Sequence, residues 1–436
     1  MKLSLFQTIL LSVFGLGALV GLFVFATYTS NGGGSDAIGT VVVWGTLPSA
    51  GMQSVITTGA QTDVDLKNVS YVQKDPATLL SDVATAIATD AAPDLILASQ
   101  EELLALAKFI TSIPLSTLSM NAFTTTFVEE GNIFIVPNGT GYYGIPFLVD
   151  PLVLFSNRAI LSSNGIAKPP TTWEELIGLV PNVAILTPSR QITRGLIALG
   201  AYDNVHDARG ILSALFLQQG IPISSYSGNG TLSADLGETS SGSGPLGSAV
   251  LGFYTQFADP AKVSYTWNTS LPDSEQMFIA GDLALYLGYA SRARYLREAN
   301  PNLNFNVTPL PQSATAKEKS AYGLVYAFMI PRGAKNPSGA YQAAALFSNA
   351  TEQTLAAGAT GLAPATLSQL ANIPSSDPIA AVAYAEALYS KGWLSPSPAD
   401  VNRIFSGMIG SVISGRSTVD DVLGSAARSL SSLLQQ

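Results

Sequence analysis

The pattern of apolar and polar positions divides the chain into three unlike stretches. Residues 9–28 form an uncharged, almost wholly apolar run of ~20 residues, the length of a bilayer-spanning helix. Residues 30–35, SNGGGS, carry no apolar side chain and read as a flexible tether. From residue 40 onward, short β-branched runs alternate with segments of helical periodicity. TVVVW (40–44), residues 68–72 and DLILA (94–98) read as strands, with Leu79, Leu80, Val83, Ala84 and Ile87 recurring at helical spacing between the second and third. A further apolar helix follows at 101–109. Strands alternating with helices predict an α/β fold with a parallel sheet and covering helices.

The stretch 143–176, YGIPFLVDPLVLFSNRAILSSNGIAKPPTTWEEL, joins three elements. A loop with Gly144 and Pro146 leads into an apolar strand at 152–155. A Pro-Pro stop follows, and then a helix whose start carries a capping box, Thr172 with Glu175 three residues on. Further along, the pattern predicts a strand at 183–186, a helix at 208–219 and a Ser/Gly-rich hairpin and surface loop at 224–248. A helix follows at 246–257, then a short helix capped by Asp273 and ended by Gly281, and the strand LALYLG. Ser291 is expected to cap the next helix. Strands at 305–310 and 322–331 precede a helix at 336–349. In the terminal segment 414–430, Val419, Val422, Leu423, Ala426 and Leu430 form one apolar stripe, a packing face.

Composition narrows the function classes. The chain has 436 residues, 47% hydrophobic and 12% charged, enough for a large core and about two or three domains. A net charge of −9 argues against nucleic acid, which needs a basic footprint. The absence of cysteine excludes disulfides, thiolate metal sites, cysteine nucleophiles and lipid attachment at an N-terminal cysteine. No metal or other cofactor is expected, and a Ser-His-Asp triad would have to use the single histidine, His206. His206 lies in polar YDNVHDARG, which reads as a helix cap or start. Lys2 precedes the apolar run and no Lys or Arg follows it before Lys67. That bias leaves the N-terminus in the cytoplasm and the rest outside, as an uncleaved single-pass anchor in the cell membrane. A cleaved signal peptide is the rival reading.

Five segments in this order resemble the sugar-binding, maltose-binding-protein-like family of extracellular solute-binding proteins of ABC importers. They are the 143–176 block, GFYTQFADP, LPDSEQMFIAGDLALYLGYAS, the 336–349 helix and SGRSTVDDVLGSAARSL. The resemblance covers nearly everything after residue 40. It implies a two-lobed, hinged type II periplasmic-binding-protein fold with no catalytic chemistry. The layout combines the short cytoplasmic segment (1–8), anchor (9–28) and linker (29–39) read from the residues, the anchor being a departure from the family, with the implied lobe 1 (40–149 plus 308–355) and lobe 2 (150–307 plus 356–436). Within the 143–176 block, the cap residues Thr172, Trp173 and Glu175 are structural, and 143–151 is the hinge.

In open α/β sheets, ligands bind beyond the carboxyl ends of strands. That rule selects Trp44, Ser99, Gln100, Glu101, Tyr289 and Tyr322, with Asp150 and Tyr143 at the crossover. Trp44 is either a cleft aromatic or a core residue. Glu101 is either a ligand contact or a helix-start carboxylate suited to the dipole. Asp150 is either a hydroxyl acceptor or a cap on the hinge backbone. Trp267, in polar YTWNTS, reads as a loop tryptophan that could stack on a ligand. Trp393 either joins it or pins the C-terminal helices. Asn402 stands roughly where the maltose-binding member carries a pocket tryptophan, which puts a maltodextrin ligand in doubt. The resemblance implies a monomeric receptor that captures a mono- or oligosaccharide and delivers it to an ABC permease. A surface-anchored glycoside hydrolase would need two carboxylates across one cleft. A sensor or adhesion protein on the same fold is the third reading.

Overall fold

One strand organises the molecule. In the computed structural model, which describes residues 38–228, 230–237 and 246–435, Ile145–Asn157 runs unbroken for 13 residues, all of them buried. A near-continuous apolar run is what a strand covered on both faces requires. The expected anchor at 9–28 and most of the tether and linker lie outside the described residues. Among the described residues no helix is long and apolar enough to cross a membrane.

The elements that matter here are, in chain order, β1 (Val41–Gly45), α1 (Ser49–Gly59), β2 (Val69–Gln73), α2 (Leu79–Ala88), β3 (Leu95–Ser99) and α3 (Gln100–Leu106). Then come the long strand β4 (Ile145–Asn157), α4 (Trp173–Val183), β5 (Ile192–Ile197), α5 (Ala208–Gln218), α6 (Leu246–Thr255), α7 (Ser274–Ala280) and β6 (Leu283–Tyr289). α8 (Arg292–Ala299), β7 (Phe305–Thr308), β8 (Ala321–Pro331), α9 (Pro337–Phe347), α10 (Ala350–Thr360), α11 (Pro378–Ala387), α12 (Pro398–Ile413) and α13 (Val419–Leu434) complete the set.

The strands form one 12-stranded sheet whose main path runs β2-β1-β3-β8-β4-β6-β5 and ends on Ile185–Leu186. β1 pairs parallel with β2 and β3, and β6 pairs parallel with β5. The two parallel groups are joined by antiparallel pairing of β8 and β6 to β4. β4 changes neighbours midway. Its first half, up to Pro151, pairs with β8, and from Leu152 it pairs with β6.

The same strand supplies a ring to each of two aromatic clusters within one continuous core. Phe147 packs against Phe328 and Phe347 at ring-centre distances of 4.8 and 5.8 Å. Phe155 packs against Phe278, Tyr286 and Phe305 at 6.4, 5.6 and 5.7 Å. Two lobes with their own aromatic centres therefore share one strand. α13 presents the expected stripe, with Val422, Leu423, Ala426 and Leu430 buried.

Most expected elements are present, and four differ. The strand expected at 152–155 begins at Ile145 and takes in both prolines. Pro146 faces the register shift between Tyr326 and Ala327, and Pro151 falls where β4 changes neighbours, so neither missing N–H breaks a regular ladder. The strand expected at 183–186 shrinks to Ile185–Leu186, because α4 continues through Pro181 to Val183. Ser291 does not cap α8; its Oγ donates instead to Asp150 Oδ2 at 2.5 Å. The strand expected at 305–310 stops at Thr308 and pairs with the second half of β4.

The capping box at α4 is present, with Thr172 Oγ1 accepting from the Glu175 N–H at 3.1 Å and the Glu175 carboxylate accepting from the Thr172 N–H at 3.3 Å. Thr172→Ala is expected to cost about 1 kcal/mol in equilibrium denaturation. A loss within a few tenths of zero would contradict this role.

Candidate functional site

The helices that follow β3 and β5 bring opposite charges together across the lobes. α3 starts directly at the end of β3, and Ser99 caps it by accepting from the Glu101 N–H at 3.2 Å. An acidic residue in that first turn suits the helix dipole. α5 places Arg209 in its own first turn, where the dipole disfavours a cation, so the guanidinium needs a carboxylate. Glu101 supplies it. Arg209 Nε donates to Oε1 at 2.9 Å and Nη2 to Oε2 at 2.5 Å, a two-pronged pairing that fixes direction as well as charge. Tyr322 Oη donates to Glu101 at 2.7 Å. Asn402 Oδ1 accepts from Arg209 at 3.1 Å and from Tyr202 Oη at 2.7 Å.

A cavity of about 570 Å³ lies beside this bridge, and its lining includes Tyr202, His206, Asp207, Arg209, Tyr289 and Asn402. Gly210 also lines it. A Cβ there would meet Tyr289 Oη at 2.7 Å, so the glycine lets the tyrosine lie against α5. A second groove of about 540 Å³ lies at the other end of α5, between Glu130 and Trp393. Among the described residues no group of His, Asp and Glu could hold a metal ion.

The residues selected from the sequence fall into three sets. Glu101, Tyr322, Ser99 and Gln100 gather at the start of α3, but their hydrogen bonds are spent within the protein. Gln100 donates to the Gly323 carbonyl at 2.9 Å and accepts from the Val325 N–H at 2.7 Å, and Ser99 Oγ donates to Glu102 at 2.5 Å. Asp150 sits on the crossing strand and accepts from the Ser291 N–H and Oγ at 3.0 and 2.5 Å. Trp44 is the penultimate residue of β1 and half-buried, with Lys74 Nζ 3.7 Å from its ring centre. Tyr289 alone of the selected residues lines the 570 Å³ cavity.

The remaining three lie elsewhere. Trp267 is not a solvent-facing loop residue; it is fully buried and donates to Asn204 at 3.2 Å, because a buried indole N–H requires a partner. Trp393 is buried, donates to Ser213 on α5 at 3.0 Å and stacks on Phe405. Tyr143 is half-buried and does not line that cavity. Trp173 packs as expected, edge-on to Phe253 and bonded to Gln218 at 2.8 Å.

Arg209, Tyr202 and Asp207 were not selected from the sequence. The signal for Arg209 was present, since it is a cation at the unfavourable end of an otherwise apolar helix.

Burial sets the titration of several carboxyls. Asp150 is pushed up to about 7 by burial, against the pull of its two bonds from Ser291. Glu130 is pushed up to about 8 by burial alone, and neither of its oxygens has a hydrogen-bond partner. Burial also raises Glu386 to about 7, partly offset by the Leu310 N–H.

Residues 58–384 match the family model described as bacterial extracellular solute-binding protein. The chain belongs to this family. No curated protein matches it in sequence. Several solved structures share the fold of this solute-binding protein. One is a cyclic α-maltosyl-1,6-maltose binding protein from Arthrobacter globiformis, with a TM-score of 0.72 at 15% identity over 91% of this chain and 99% of that one. A cyclo/maltodextrin-binding protein complexed with maltotetraose gives 0.72 at 14% identity, over 93% and 99%. An ABC transporter solute-binding protein from Thermotoga lettingae, bound with α-D-tagatose, gives 0.66 at 17%, over 91% and 100%. The family is one of binding proteins rather than enzymes.

Removing one partner of a buried pair leaves an uncompensated charge. Arg209→Met is therefore expected to cost about 3 kcal/mol, and Arg209→Met with Glu101→Gln appreciably less. Equilibrium denaturation of both variants checks this, and equal losses would contradict it.

Glu130 holds its proton more tightly folded than unfolded, where the carboxyl titrates near ~4. Its contribution to stability is therefore present below ~4 and is lost as pH rises towards about 8. The stability difference between Glu130→Gln and the parent is expected to move in the variant's favour across that window. A difference independent of pH would count against the assignment.

Proposed function

We propose that this solute-binding protein captures a polyhydroxylated small molecule, a sugar, between its lobes and delivers it to an ABC permease. The observation that carries the reading is the Arg209–Glu101 bridge, which joins the proposed lobes, with a cavity beside it lined by residues of lobe 2. Its walls combine what a sugar needs. Tyr202 and Tyr289 offer ring faces for C–H surfaces, and Asn402, with the tyrosine hydroxyls, offers hydrogen-bond partners. The fold likeness to proteins described as binding maltosyl-maltose, maltotetraose or tagatose supports the same class.

In this reading Tyr289 is a ligand contact, Asp150 reaches ligand only by giving up its bonds from Ser291, and Trp44 lies near the end of β1 with Lys74 over its ring. Glu101, Gln100, Ser99 and Tyr322 reach ligand only by giving up bonds they now make. Trp267 and Trp393 serve packing, and Tyr143 belongs to the hinge.

Lobe 1 is proposed as 40–149 plus 308–355 and lobe 2 as 150–307 plus 356–436. The pairing of Ala363–Pro364 with Leu148 and Val149 favours moving the last crossing past residue 364. The lobes open and close about β4, near Pro151. The apolar run at 9–28 tethers the receptor to the membrane with the lobes outside, and it acts as a monomer.

A screen of mono- and oligosaccharides by thermal denaturation tests the reading. A true ligand at 100 times its Kd is expected to add about 2.7 kcal/mol of stability. No shift with any sugar would remove the carbohydrate reading and leave the fold untouched.

A further inference from the structure

The chain carries a modification motif that sugar capture does not use. Asn-x-Ser/Thr, with no proline in the middle, occurs at Asn68, Asn138, Asn229, Asn268, Asn306 and Asn349. The motif marks an N-glycan acceptor on proteins outside the cytoplasm, where this family works. An amide nitrogen is a weak nucleophile, because its lone pair is shared with the carbonyl. It therefore has to be exposed, free of other partners, and activated by the hydroxyl two residues on.

Asn229 lies outside the described residues, and four of the others fail one of these demands. Asn306 and Thr308 lie in β7, paired to β4, and the Thr308 hydroxyl donates to the Leu154 carbonyl at 3.4 Å. Asn349 caps α10 by accepting from the Glu352 N–H at 2.9 Å, and Thr351 lies inside that helix. Asn68 is half-buried, and Ser70 is held in β2 opposite Val42. Asn268 accepts from the Ser270 N–H and Oγ at 2.9 and 2.7 Å, but it is half-buried and its Nδ2 donates to Tyr265 Oη at 2.8 Å.

Asn138 meets all three. The Gly139 N–H donates to the Val136 carbonyl at 2.7 Å, closing a β-turn with Pro137 in its second position, and the Val136 N–H donates to the Gly141 carbonyl at 2.9 Å. This pins a tip on which Asn138 and Thr140 are both exposed. Gly139 is left-handed at φ 67°, and a Cβ there would meet nothing within 4 Å, so the middle of the motif stands in open space. The Thr140 N–H and Oγ1 both donate to Asn138 Oδ1, at 3.1 and 2.6 Å. Among the described residues nothing accepts from Nδ2. Two donors on Oδ1 meet the negative charge that collects on that oxygen when Nδ2 gives up a proton, as the donors of an oxyanion hole do.

We propose that Asn138 is a glycan acceptor, modified on Nδ2 by a saccharide delivered from a phosphorylated lipid donor. Nδ2 loses a proton to a base of the transferring enzyme and bonds to the anomeric carbon. The bond from that carbon to the phosphate oxygen breaks, and the phosphate leaves with the electron pair. The glycan stands at the rim of the 540 Å³ groove, which Pro137 and Gly139 line and which shares no lining residue with the 570 Å³ cavity. The site is therefore separate from the one proposed for sugar capture.

The test isolates the full chain from the cells that naturally make it and reads its proteolytic peptides by mass spectrometry. The peptide holding Asn138 is expected to carry a saccharide mass in most copies, and those holding Asn68, Asn268, Asn306 and Asn349 to be bare. In the same cells, Asn138→Gln and Thr140→Val are each expected to abolish the added mass, and Thr140→Ser, which keeps the hydroxyl, to retain it. A bare Asn138, saccharide on the engaged asparagines to the same extent, or a mass that survives Thr140→Val would overturn the inference. None of these results bears on sugar capture.

Discussion

Everything in this molecule hangs on β4. A strand buried along its whole length is costly to move, because each backbone group must keep a partner. β4 meets that demand by exchanging partners at Pro151, the one residue there with no N–H to satisfy. On either side it contributes a ring to a different aromatic cluster, Phe147 to one and Phe155 to the other. The two lobes are therefore continuous in hydrogen bonding, and each has its own aromatic cluster. A weak point in the ladder between two packed clusters is what a hinge requires.

The bridge between Arg209 and Glu101 is the complement of that strand. β4 joins the lobes through the backbone, and the bridge joins them through side chains at the ends of two helices. A charge pair this deep is favourable only while both members stay matched. Asn402 and the Pro398 carbonyl accept further bonds from Arg209, and Tyr322 donates one to Glu101. In the proposed mechanism this makes closure a discrete state, because the bridge is either formed or its charges return to water.

Much of the fold was legible in the residues, since β-branched runs and helical spacing need no tertiary information. What was misread depended on long-range partners. Pro146 looked like a loop signal because its interruption is absorbed at a register shift in β8, which arrives much later in the chain. Ser291 looked like a cap because serine before a helix usually is one, yet Asp150 competes for its hydroxyl and wins. Trp267 looked exposed in its polar run, but its indole is fully buried and satisfied by Asn204. The site was legible in part. The strand-end rule led to Glu101 and Tyr289, while Arg209, which completes the bridge, lies on a helix start that the rule does not sample.

The sequence contains no cysteine, so one can be placed on each lobe and spin-labelled without interference. Exposed Thr125 and Ser189 are suitable positions. The distance distribution between the labels, measured by double electron–electron resonance, tests most directly whether the bridge holds two mobile lobes together. The account predicts a short-distance population that Arg209→Met depletes in favour of a longer one. Identical distributions in the parent and the variant would contradict it.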